Sequence, residues 1–424
     1  MSFRRRNSHR GRRVMPVTLL EISSPSRHDF TIMSASRSRN RCRVDPGVDA
    51  ATPAAPDLRL SERFGRTADR ENPLTHKTDQ DRPFCSPGET IEMTTENDNN
   101  VGTVGQGDYR YEPLPGWDQL PEGWNYGEVV GAATDSAGNL YAFNRSEHPV
   151  IVYSSDGSFV GSWGEGQFER PHGIWITDDD RIWLTDDHGH VIHRYTTDGR
   201  REQTLGIAGE CSDTGVEDMN YLTLRQPAGP FNLPTNLAVA PDGRLFITDG
   251  YGNCRVHRFS ADGEYEISWG TPGDGDGEFH LPHGIDVASD GTVFACDREN
   301  SRIQLFDADG GFIEAWTDVA RPCEVFIDGD DVVYVAELGW HAGLNDQRFD
   351  DTGGRVSIFS RSGELLSRFG GGANPYEPGD FAAPHDIWVD GNGDIYTSEV
   401  IASAAVPKGL VEADCPTLQK FRRV

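Results

Sequence analysis

Three histidines stand in nearly the same phrase at widely separated places. They are His172 in "FERPHGIWITDDDRIWLTD", His283 in "FHLPHGIDVASDGTVFACD" and His385 in "FAAPHDIWVDGNGDIYTSE". Each follows a proline and opens a run of apolar residues that alternates as a strand does. A neutral imidazole is a good ligand for zinc and its neighbours in the periodic table, and it can also move a proton. Taken singly, any one of them reads as a polar side chain lining a wet surface. Three in one repeated phrase raise the question of what element could bring them together.

The phrase belongs to a longer repeat. Six copies begin at Val129, Pro171, Pro234, Pro282, Pro322 and Pro384, each a strand, a tight turn and a second strand. The turns carry D-G, N-G or S-A-G signals, which supply the positive φ of a hairpin. A third strand and often a fourth follow, as in "RVHRFSADGEYEISWG" from Arg255 and "RIQLFDADGGFIEAW" from Arg302. Four short strands per repeat are the mark of a propeller blade. The expectation is an all-β fold, a six-bladed β-propeller over residues 107–424. Two stacked sheets are the plainer alternative. The last blade has "LQKFRRV" as its third strand, so "DYRYEPL" near Asp108 is expected to supply the fourth and close the ring. Long inserts, Cys211 to Phe231 and Trp340 to Gly354, are expected as surface loops, where function often sits.

In a propeller the first strand of each blade lines the central channel, and the residue at its start sits at one mouth. Across the six blades that position reads Val130, His172, Thr235, His283, Cys323 and His385. Blades about 60 degrees apart put alternate ones about 120 degrees apart, so the three imidazoles face one axis. Three neutral imidazoles with an open fourth position suit a catalytic zinc. A rival set, His188, His190 and His193 in "DDHGHVIH", falls on a hairpin where histidine is a common surface residue. The loop after the second strand carries Arg145, Tyr251 and Arg298 in three of the blades, which would place a phenol and two cations near the same mouth.

Charge divides the chain. Residues 1–92 hold 17 Lys and Arg against 12 Asp and Glu, whereas residues 93–424 hold 22 against 56. The first stretch, rich in Arg, Ser and Pro and without sustained period, is expected to be a disordered leader. It reads equally as an over-extended gene start, since Met93 opens a polar "MTTENDNN". Residues 93–106 are expected as a linker. The apolar run after "RRVMP" is too short for a signal sequence, and no run is long enough for a membrane helix. The acidic body, with three lysines in the whole chain (Lys77, Lys408, Lys420), reads as adaptation to high salt and argues against nucleic acid or an anionic membrane as partner. Seven cysteines without a C-x-x-C or a regular framework fit a reduced, cytoplasmic protein. A monomer is expected.

At "TDGYGNCRVHRFSADGEY", "GEFHLPHGIDV" and "CDRENSRIQLF" the sequence resembles the NHL-repeat propeller of peptidyl-α-hydroxyglycine α-amidating lyase, and the likeness runs from about Gly127 to the C-terminus. The resemblance implies zinc on His172, His283 and His385, a catalytic Tyr251, and active-site arginines at Arg145 and Arg298. It also implies a structural calcium on Asp386 and on the backbone carbonyls of Ala132 and Ile174. Two departures stand out. Where animal members have a methionine two residues before the third histidine, this chain has Ala383, and the family's two disulfides are absent, Cys254 and Cys296 lying near two of the positions but not on them. The implied reaction cleaves the N–C bond of an N-acyl or peptidyl α-hydroxyglycine, giving an amide and glyoxylate.

Two other classes fit a propeller. A metal-dependent hydrolase, for instance a lactonase, would share the metal-in-channel plan, but such sites use a carboxylate and asparagine cage that the six ring positions do not show. A non-catalytic NHL scaffold would have no use for three histidines in phase with Tyr251. No Gly-rich phosphate loop, H-E-x-x-H or G-x-S-x-G occurs, so nucleotide use and serine catalysis have no support.

Overall fold

The computed structural model describes residues 102–343 and 348–424. The expected leader and most of the expected linker lie outside the described residues. The described end of that linker is not loop, because Val104–Gln106 is a strand.

Six blade sheets follow one another in chain order, five of four strands and one of five, with a two-stranded parallel pair, Thr271–Pro272 and Glu278–Phe279, between the third and fourth. Each inner strand packs against the next, and the sixth, Pro384–Val389, packs against the first, Val129–Thr134, so the ring closes. Burial falls outward along each blade. In the first, Val129–Thr134 and Leu140–Asn144 are wholly buried while Phe159–Trp163 is exposed to half-buried. Blades then pack face to face through aromatic rings from their outer strands. Trp163 of the first blade meets Tyr195 of the second, with ring centroids 5.1 Å apart. A Cβ on Gly199, at φ +80 in the second blade's turn, would lie 2.8 Å from that indole, so the turn needs glycine twice over.

The closure expected from the sequence is present. Tyr109–Pro113 pairs antiparallel with Leu418–Arg423, Tyr111 opposite Arg423 and Pro113 opposite Phe421. Val104–Gln106 then adds a fifth strand outside it.

Two devices recur in the blades and fix the channel mouth. The first is a bulge at the start of every inner strand. Pairing skips from Pro171 to Ile174, from Pro282 to Ile285 and from Pro384 to Asp386, so the histidine of each phrase is left outside the ladder. A bulge re-aims the side chain it leaves unpaired. The second device is a buried acid ending the second strand. Asp186 accepts the amides of Glu169 and Arg170 at 2.8 and 2.9 Å, Asp297 accepts His280 N, and Glu399 accepts those of Ala382 and Ala383. These carboxylates tie down the loop just before each histidine. A buried carboxylate costs several kcal/mol unless it is hydrogen-bonded in this way.

Among the described residues no helix is long and apolar enough to cross a membrane. Cys254, Cys296, Cys323 and Cys415 are free and buried. Cys211 is disulfide-bonded, which departs from the expectation of a fully reduced set.

Candidate active site

The bulged histidines converge. The ligating atoms of His172, His283 and His385 all lie within 4.8 Å of one another, and the three ring centroids form a near-equilateral triangle with sides of 4.9, 4.7 and 4.8 Å. All three rings are buried.

What orients them is the other half of the ring. His172 Nδ1 donates to the carbonyl of Thr235 at 2.7 Å, His283 Nδ1 to that of Cys323 at 2.8 Å, and His385 Nδ1 to that of Val130 at 2.7 Å. The ring positions that lack histidine thus hold the histidine of the preceding blade through backbone carbonyls. With Nδ1 carrying the proton, each Nε2 lone pair is left for a ligand. Burial holds all three imidazoles well below their ordinary range, His385 down to about 3, and neighbouring histidines and the cations Arg145 and Arg298 add to it. Neutral, buried and pre-aimed, the triad fits a zinc-type ion with an open fourth position.

Tyr251 enters from the third blade. Its hydroxyl lies 3.3 Å from His172 Nε2 and 3.2 Å from His283 Nε2, within donating range of both. Arg298 Nη1 donates to the same oxygen at 3.4 Å, and its guanidinium lies 5.5 Å from the centre of the phenol ring. Arg145 is held differently, by Glu128 at 2.5 Å and by the carbonyl of Pro171, the residue before His172, at 3.1 Å. Arg145, Tyr251, Arg298 and His385 line one cavity of about 430 Å³. The structure therefore brings together all three catalytic candidates and the three zinc candidates.

Several residues of this cavity escaped the sequence reading. Arg170, next to the Pro-His pair, lines the cavity, reaches Asp187 at 3.0 Å and lies 5.7 Å from the Tyr251 ring centre. Glu299 binds Arg298 at 2.9 Å and Arg321 at 2.8 Å. The Cys211 to Phe231 insert contributes Asp218 to Leu222 to the wall, so it is more than a surface loop. Repetition marks only Arg170, which shares its place before the inner-strand proline with Arg321; Glu299 and the insert residues do not recur from blade to blade.

The rival set does not assemble. His190 Nδ1 accepts the amide of Leu233, His193 faces Thr204, and His188 lies by Arg170. Among the described residues the triad is the one cluster of three or more His, Cys, Asp or Glu side chains able to hold a metal.

One residue further along the inner strands stand Asn236, Glu324 and Asp386, all buried. Asn236 donates to Glu324, and Asp386 accepts an amide hydrogen bond from Ala132. A Cβ on Gly131 would lie 2.7 Å from Asp386 Oδ2 and 2.7 Å from Ile174, so Asp386, Ala132 and Ile174 do meet around this glycine. Burial pushes both carboxylates up, Glu324 to about 8, and Asp386 also by its nearness to Glu324. Buried oxygen donors suit a hard cation such as calcium, whose charge would favour the ionised carboxylates. Ala132, however, meets Asp386 through its amide rather than its carbonyl. The same three side chains are the carboxylate and asparagine set that the ring positions lack.

A family model described as NHL repeat matches residues 231–259 and 279–306. Peptidyl-alpha-hydroxyglycine alpha-amidating lyase 1 of Drosophila melanogaster is 27% identical over 329 residues, covering 65% of this chain and 55% of that protein. NHL repeat-containing protein 3 of Homo sapiens is 30% identical over 214 residues, covering 47% of this chain and 58% of that protein. The chain thus spans little more than half the length of these relatives. A solved gluconolactonase from Xanthomonas campestris is 16% identical with a TM-score of 0.48, over 74% of this chain and 90% of that one, a likeness too slight to argue from. The resemblance read from the motifs is borne out, at low identity.

Proposed function

We propose that this chain is a metal-dependent carbon–nitrogen lyase acting on an N-acyl or peptidyl α-hydroxyglycine. The observation that carries the reading is the position of the Tyr251 oxygen, within 3.4 Å of two triad nitrogens and of the Arg298 guanidinium. A proton acceptor, a metal nest and a carboxylate-binding cation then share one cavity, which a non-catalytic scaffold has no reason to build. Relatives named as amidating lyases support the reading.

The chemistry is an elimination from a carbinolamide. His172, His283 and His385 would hold zinc, which supplies Lewis acidity to the substrate hydroxyl. Tyr251 takes the hydroxyl proton as general base. The oxygen lone pair then forms the C=O of glyoxylate as the C–N bond breaks, and the bonding pair leaves on nitrogen, which picks up the proton to give the amide. Arg298 steadies the charge that passes through the Tyr251 oxygen. Arg145, fixed by Glu128 and the Pro171 carbonyl, offers its remaining donors to the substrate carboxylate. Asp386 and Glu324 would hold a structural calcium further down the channel.

The test is release of glyoxylate from α-hydroxyhippurate by metal-loaded protein, at high and low salt. Absence of glyoxylate at both salts refutes the reading for this substrate class. A metal-dependent hydrolase is the second reading, favoured by Asn236, Glu324 and Asp386 in the channel. It predicts lactone hydrolysis that survives Tyr251→Phe and is lost in Glu324→Gln.

A further inference from the structure

The cavity beside the triad has two chemically different linings. Arg145, Arg170, Arg298 and Arg321 form one. Their buried carboxylate partners number three, Glu128, Asp187 and a Glu299 shared by Arg298 and Arg321. Among the side chains alone, four guanidiniums against three carboxylates leave one guanidinium charge without a carboxylate of its own, which suits a ligand carboxylate. Asp218 also reaches the rim but is exposed to solvent, where its charge is screened.

The other lining is apolar. Met219, Tyr221 and Leu222 come from the long insert, and Leu281, Leu338 and Val400 from the blades. Leu222 is 62% exposed, an aliphatic side chain presented at the rim. The insert is fastened beside the phenol. Thr214 Oγ1 donates to the carbonyl of Gly252, the neighbour of Tyr251, at 2.6 Å. The side chain of Asn220 caps the short helix Tyr221–Thr223 through Leu222 N at 3.1 Å. The apolar rim therefore has a fixed place relative to the reacting centre. At about 430 Å³ the cavity is small for a ligand site.

We infer that this cavity selects substrates with one carboxylate and a compact, aryl-sized apolar acyl group, and that Leu222 sets that preference. The inference rests on the reading of the site as one for N-acyl α-hydroxyglycines. An extended polar peptide would leave the apolar lining facing water.

Isothermal titration of metal-loaded protein with hippurate and with N-acetylglycine tests it. Both ligands carry the amide and the carboxylate but lack the hydroxyl, so neither turns over. Hippurate is expected to bind at least ~10-fold tighter, from the extra apolar area buried. In Leu222→Ser the ratio should fall below ~3-fold, and because Leu222 is exposed the fold should survive, which a thermal melt checks. Equal affinities, binding of neither ligand, or a ratio unchanged in the variant overturns the inference. Glyoxylate release from α-hydroxyhippurate, measured in parallel, separates the two readings. A hippurate preference without glyoxylate sinks the lyase and leaves the pocket assignment standing, while glyoxylate with equal affinities sinks the pocket assignment alone.

Discussion

His385 of the last blade donates its Nδ1 proton to the carbonyl of Val130 in the first, 2.7 Å away. One leg of the triad is thus held by the closure of the ring. The closure itself depends on Phe421, wholly buried opposite Pro113 and packed against Phe369 and Phe381 at 5.3 and 5.9 Å. Phe421→Ala should cost ~3–5 kcal/mol of stability, and bound metal should leave at lower denaturant than in the parent. Equilibrium unfolding followed alongside metal release checks both, and metal retention unaffected by the lost stability would uncouple closure from the site.

Removing one imidazole should empty the triad. Purified protein is expected to carry about one zinc per chain, since three histidine ligands with an open position suit that ion. His283→Ala should lower the content sharply, because two imidazoles and a water hold zinc far less well. Elemental analysis after dialysis is the measurement, and unchanged metal in the variant would remove the three-histidine site.

Tyr251→Phe should keep its metal and lose its chemistry. The ring still packs beside His172 and His283, at centroid distances of 5.3 and 5.7 Å, but no oxygen remains to take the proton. A fall in kcat of ~10²–10⁴ is expected, with metal content within error of the parent. A variant that retains full rate would assign the base elsewhere.

The residues recovered from the sequence are those that repetition marks. Each inner-strand start is a copy of one phrase, so His172, His283 and His385 fall in phase by counting; Arg145 and Arg298 each directly follow their second strand, and Tyr251 stands one residue further along the matching loop. The closing strand was legible because the last blade counted one strand short. What counting cannot see is a partner that does not repeat. Glu128 and Arg145 meet across the mouth of one blade, and Glu299 meets Arg321 from the next, so both need coordinates. Asn236 and Glu324 lie in phase with Asp386, one residue beyond the ring position, a column that the family resemblance marks only at Asp386. The insert's role at the cavity was hidden for another reason: a loop's direction is not encoded in any period.

Arg145 holds Glu128 and the Pro171 carbonyl with different atoms of one rigid fork. Lysine keeps the charge but has no fork, so it cannot keep both and still face a ligand. Arg145→Lys should raise KM for an α-hydroxyglycine substrate about tenfold, the loss of roughly one charge-assisted hydrogen bond, with a smaller change in kcat. Steady-state kinetics of glyoxylate release would show this, and an equal fall in kcat with unchanged KM would move Arg145 from substrate binding to the reacting centre.

His193 should make its own contribution to stability fall on mild acidification. Burial, with Arg201 nearby, holds this imidazole down to about 4 in the fold, below its ordinary value near 6.5. The folded state therefore favours the neutral ring. Its contribution is fully present above about pH 6.5 and is lost as pH falls toward 4, at no more than ~1.4 kcal/mol per pH unit. Buried carboxylates such as Asp186, pushed up to about 6, act in the opposite sense, so only a difference between proteins is informative. His193→Gln keeps a polar group near Thr204, whose hydroxyl lies 2.9 Å from the imidazole. Denaturant unfolding at pH 7, 6, 5 and 4.5 should show a shallower loss for the variant than for the parent. Parallel curves would mean that the proton taken up on unfolding belongs to another group.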